Sequence, residues 1–175
     1  VPLDTIYQAY HMCDRLSPDY YATDLISDIL SNGKSSRLNQ RLVKQQNLFS
    51  KINAYITGDI DPGLFIVTGN LNQGVSFNEG QDAIRSELEL IMNESIDIKE
   101  LKKVQNKVEA TLIYSEINIL NKAMNLAYFE LLGDASLINN ETEAYQKITP
   151  GQVQKVAKKL FKKENCSELL YKATK

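Results

Sequence analysis

One histidine, His11, is all the imidazole the sequence has, and that scarcity excludes more chemistry than any other feature. A catalytic zinc site generally draws three protein ligands from His, Cys and carboxylates, and an HxxEH pair cannot be written with one histidine. Cysteine is scarce too: Cys13 and Cys166 stand at opposite ends of the chain. Two such residues make neither a disulfide framework nor a CxxC knuckle. Free thiols are expected, with a single bridge between paired terminal strands left open by geometry. His11 and Cys13 fall on one face of an expected strand, as a two-residue metal clip would, but a half-buried imidazole beside a small thiol is the commoner arrangement. Neither GxxxxGK[ST] nor GxGxxG occurs, so phosphate cradles have no support. A Ser-His-Asp or Cys-His device would have to use His11 as its base, and no nucleophile elbow accompanies it. The expected catalytic and metal-ligand sets are therefore empty, and no cofactor is expected in this domain.

Charge of one sign is also missing. The 20 basic and 22 acidic residues nearly cancel, and no Lys/Arg cluster is interleaved with aromatics, so nucleic acid is not an expected partner. Carboxylate pairs at Glu87 and Glu89 and at Glu141 and Glu143 read as solvated surface charge. No apolar run approaches the roughly 20 residues that cross a bilayer. The opening "VPLDTIYQAY" has neither a basic start nor an apolar signal core, and it lacks an initiating methionine. An excised part of a longer protein is expected. With 175 residues, 43% of them hydrophobic, one domain over 1–175 can bury a normal core.

What is present is a clear succession of periods. "TIYQAYHMC" alternates as a strand does. Ser17-Pro18-Asp19 opens a helix whose Tyr21, Leu25, Ile29 and Leu30 recur at helical spacing up to the Asn32-Gly33 stop. A short helix is expected from about Ser36 to Gln45. Strands over about 49–57 and 64–71 flank Gly-Asp-Ile-Asp-Pro-Gly, which is a turn by its chemistry. In the first strand Ile52, Ala54 and Ile56 share one face while Asn53, Tyr55 and Thr57 share the other. Asn78 is the expected cap of a helix carrying Ile84, Leu88 and Ile91, and Asp97 with Glu100 resembles a capping box opening a long helix that breaks near Tyr114–Asn118. Thr149-Pro150 starts the last helix, with Val153, Val156, Leu160 and Phe161 as its buried stripe, and "CSELLYKAT" closes the chain as a strand. The expected fold class is α+β: a mainly antiparallel sheet of about four strands with helices packed on one face.

Two of these stretches carry a resemblance. "SSRLNQRLVKQQNLFSKINAYI", through Ser35, Ser36, Arg37, Leu38, Leu42 and Leu48, resembles a motif in the carboxy-terminal halves of the pitrilysin/insulinase zinc metallopeptidase family. "ITPGQVQKVAKKLFKKENCSELLYKA" is similar to that family's closing helix and strand. The resemblance implies an insulinase/mitochondrial processing peptidase-like half without zinc, forming the wall of a chamber opposite a homologous zinc-bearing half on the same chain or a partner subunit. It also implies a peptide or unfolded-protein substrate held by main-chain pairing, with Asn53, Tyr55 and Thr57 as the substrate-binding candidates. Active relatives carry an arginine and a tyrosine where this sequence has Val43 and Ser50, and neither replacement supplies the missing donor. The alternative function is a structural assembly domain of the same fold with no role in proteolysis.

Overall fold

Alternation in the first strand has a direct structural reading. The computed structural model describes residues 3–174, and β1 (Thr5–His11) turns Ile6, Gln8 and Tyr10 inward and Tyr7 and His11 to solvent. It lies between β3 (Leu64–Leu71) and β4 (Cys166–Tyr171), while β2 (Phe49–Ile56) pairs outside β3, giving an antiparallel sheet in the order β2-β3-β1-β4. Cys13 falls beyond the end of β1, so it does not share the strand face with His11. Both cysteines are free and half-buried, and burial pushes the Cys166 thiol above its ordinary value.

Three helices cover one face of the sheet. In α1 (Tyr20–Ser31) the spacing of Leu25, Ile26, Ile29 and Leu30 places all four fully inside, against β2. Helix α2 (Phe77–Asn93) buries Ile84, Leu88 and Ile91, and α6 (Pro150–Leu160) buries Val153, Val156, Ala157 and Leu160 between α1 and α2. Thr149 caps α6 in a reciprocal box with Gln152. For α2 the cap is Ser76, not Asn78, because Glu79 three residues on returns its carboxylate to the Ser76 amide at 2.9 Å. The packing is close enough to dictate a glycine. A Cβ on Gly69 of β3 would sit 2.6 Å from the Phe49 ring that crosses it.

Three further sequence expectations change. The segment over Asn39–Gln45 is a π-helix rather than an α-helix: the Gln46 amide donates to the carbonyl of Arg41, five residues back, at 2.9 Å. Asn47, at φ 53°, ends it in the left-handed region that asparagine tolerates. Asp97 caps α3 (Ile98–Ser115) through the Lys99 amide alone, since Glu100 instead accepts from two nitrogens of Arg37 at 2.7 and 3.0 Å. Glu87 and Glu141 are buried rather than solvated, at 4% and 7% exposure, and each is neutralised by an arginine: Arg41 at 3.0 Å and Arg15 at 2.7 Å. Glu89 and Glu143 do face solvent.

The expected break falls between α3 and α4 (Ile119–Leu131), where the Asn118 side chain accepts from the Leu120 and Asn121 amides. A 3-10 turn over Ala135–Asn140 and the short α5 (Glu141–Gln146) then lead back to α6. The end of α3 and α4 form an arm that leaves Ile113, Ile117, Ile119, Leu120 and Met124 more than half exposed, with Phe129 its buried residue.

Candidate functional site

Because helices occupy one side of the sheet, its other side is an uncovered platform whose residues follow from register. Reading across the strands, Lys51, Asn70, Thr5 and Tyr171 form one row; Asn53, Thr68, Tyr7 and Leu169 the next; Tyr55, Ile66, Ala9 and Ser167 the third. Tyr7 is 43% exposed, Tyr55 44% and Leu169 61%. Two phenols and a leucine standing over Asn53, Thr68 and Ile66 offer apolar area together with hydrogen-bonding tips, the combination that favours contact with another chain.

The residues singled out from the sequence divide on this surface. Asn53 and Tyr55 lie on adjacent rows of the open face while Ile52 and Ala54 are buried and Ile56 is half-buried against the helices. Thr57 does not join them: its hydroxyl is bound to Asp59 and accepts the Leu64 amide at 3.1 Å, closing the hairpin. Val43 packs half-buried against the core from the π-helix. Ser50 sits at the β-bulge between Phe49 and Lys51 and donates to the carbonyl of Asn70 at 3.2 Å. Sequence reasoning missed Tyr7, Ile66 and Leu169; the alternation of β1 held the signal for Tyr7, but joining it to Asn53 required the strand order.

The neighbouring π-helix is fixed by long-range charge. Hydrogen bonds to Glu100 hold the Arg37 guanidinium above its ordinary value, against the opposing effect of burial. Arg41, which spans to Glu87, is a tie between the π-helix and α2 and not a free cation. Among the described residues no group of three or more His, Cys, Asp or Glu side chains is positioned to hold a metal ion, and no helix is long and apolar enough to cross a membrane.

Solved structures reproduce this architecture at low identity. A protease from Helicobacter pylori superposes with a TM-score of 0.92 at 22% identity, over 99% of this chain and 42% of its own. The chain thus spans less than half the length of that protein. The inactive peptidase domain of a candidate zinc protease from Bordetella parapertussis gives 0.89 at 22%, covering 98% of this chain and 93% of that one. A chain of complex III2 from Candida albicans gives 0.75 at 15%, covering 97% and 43%. These likenesses establish the fold. No curated protein matches the sequence. The sequence motif and the fold converge in the family comparison: residues 1–108 match the model of the peptidase M16 inactive domain, and the chain belongs to that family, as an α+β domain of the non-catalytic kind in a line of zinc proteases.

Proposed function

We propose that residues 1–175 are one domain of a longer zinc peptidase, and that the open sheet face forms part of a chamber wall opposite a homologous zinc-bearing half. The observation that carries this reading is the platform itself: an uncovered face on which Tyr7, Asn53, Tyr55 and Leu169 stand within two adjacent rows. Exposed apolar area of this kind on a sheet is matched to an extended peptide, whose side chains alternate with the same period of two. Asn53 supplies a donor and an acceptor for a peptide backbone, and the tyrosines supply sequence-tolerant contact. The zinc, its ligands and the general base belong to the other half, because a lone histidine cannot assemble them here. Thr57, tied into its turn, is the weakest of the three proposed contacts.

Steady-state peptide hydrolysis by the full-length parent tests the reading. Asn53→Arg combined with Tyr55→Ala should raise KM by roughly tenfold with kcat within about twofold, the pattern of lost ground-state binding. An unchanged KM would refute it. A structural assembly role is the second reading, favoured by the likeness to the complex III2 chain. A parent whose partner half lacks HxxEH, and which shows no peptide turnover, would select it.

A further inference from the structure

At the arm lies a cavity of about 260 Å³ lined by Arg15 and Glu141 and by Leu112, Asn125, Tyr128 and Phe129, none of them a platform residue. Space for roughly nine waters is enough for a small organic molecule. Arg15 is held at one point of the loop before α1, its guanidinium 4.4 Å from the Tyr20 ring centre, 5.2 Å from that of Tyr21 and 5.5 Å from that of Phe129. It is 6% exposed, and one of its terminal nitrogens donates to Glu141 Oε1 at 2.7 Å. The Tyr21 hydroxyl donates to the same oxygen at 2.6 Å.

That arrangement leaves valences over. A guanidinium has five N–H donors and a carboxylate two accepting oxygens; Arg15 spends one terminal nitrogen on Glu141 Oε1 and also engages the Tyr21 hydroxyl, which leaves Glu141 Oε2 and part of the guanidinium outside this cluster. Among the described residues no fully buried side-chain nitrogen or oxygen lacks a partner. The remaining Arg15 donors and Glu141 Oε2 therefore retain some open contact, and both residues line the cavity. The cavity thus presents donors and an acceptor side by side, together with aromatic rings.

We propose that this cavity is a binding site for a small neutral molecule with a planar carboxamide, its carbonyl accepting from Arg15, its NH2 donating to Glu141 and its apolar remainder resting against Phe129 and Tyr128. Charge selects among the candidates. An anion would satisfy Arg15 but meet Glu141, with Glu116 also on the wall. A cation would satisfy Glu141 while facing the guanidinium. A carboxamide satisfies both, and leaves no buried donor unpaired.

The test is a titration of the full chain with benzamide, benzoate and benzylamine, followed by amide and arginine Nε resonances in NMR. Benzamide should bind saturably with a dissociation constant on the order of a millimolar, as suits a ligand of its size, and shift resonances of Arg15, Asn125, Phe129 and Glu141. Benzoate and benzylamine should bind at least about tenfold more weakly. Asn125→Trp, which fills the cavity and leaves the ion pair in place, should abolish binding while far-UV circular dichroism stays unchanged. Unsaturable binding, equal binding of benzoate, or binding retained by that variant would each overturn the proposal; the first would mean that the cavity holds water alone.

Discussion

In the layer formed by the sheet with α1, α2 and α6, helix α1 is as apolar in sequence as α4 of the arm that it forms with the end of α3, yet layer and arm meet water differently. In the layer, Leu25, Leu30, Phe49 and Phe65 are fully enclosed. In the arm, "ILNKAMNLAYFEL" presents Ile119 at 86%, Leu120 at 64% and Met124 at 62% exposure. Composition is not what separates them. The layer has a flat partner, the sheet, on which a helical stripe can be laid; α4 of the arm packs mainly on the 3-10 turn that follows it, and the arm is anchored by Phe129 and by the Arg15–Glu141 pair at its root. Local stability follows enclosed apolar contacts and not apolar content, so the arm opens at lower free energy than the layer.

The contrast can be broken or sharpened in order of effect. Phe65→Ala, in the layer, should cost about 3–5 kcal/mol in chemical denaturation, because the Tyr10 and Phe161 rings stacked edge-on near it cannot close the void. Glu141→Gln should cost about 3 kcal/mol by leaving the Arg15 charge buried without its counterion, whereas Arg15→Met with Glu141→Leu should recover most of that loss. A double variant as unstable as the single one would show that the root of the arm depends on charge itself.

A smaller change is expected at Asp24, which accepts from the Tyr145 hydroxyl at 2.6 Å. Burial raises its carboxyl above the ordinary range, more than that hydrogen bond lowers it. A raised folded value means that the native state binds more protons than the unfolded chain, so this contribution to stability falls as pH rises from about 3.9 through the native value. Asp24→Asn should therefore be more stable than the parent sequence at neutral pH and nearly equal to it near pH 3, read from paired thermal melts. Smallest of all, Ile119→Ala should stay within about 0.5 kcal/mol. A loss above 2 kcal/mol there would show that the arm is packed in solution.

Much of the layer was legible because its periods are local. The alternation of Ile52, Ala54 and Ile56, the 3.6 spacing in α1 and the Thr149-Pro150 start of α6 each specify an element without knowledge of the rest. "SFNE" over 76–79 also held the cap of α2, since a serine followed three residues later by glutamate outranks a nearby asparagine. The π-helix was not legible: Leu38 and Leu42, four apart, satisfy either winding, and the choice is secured by Glu87 and Glu100, 46 and 63 residues away from their arginines. Burial of Glu141 depends on Arg15, 126 residues distant. Of the candidate site, the facing of Asn53 and Tyr55 was readable and the company they keep was not, because rows across a sheet exist only once strand order is known.

The ends of those rows bear on what the sheet refuses. Both outer strands have an unpaired edge, the usual seat of unwanted strand addition. On β4 the exposed side chain of Glu168, on the helix side of the sheet, is a carboxylate held by Gln8 at 2.7 Å and by Gln81. A fifth strand laid beside it would have to pass over that charge. On β2 the bulge at Ser50 breaks the even ladder that an incoming strand would need. Strand addition is thus disfavoured at the margins, while the middle of the open face stays accessible, so the sheet resists being extended without being sealed.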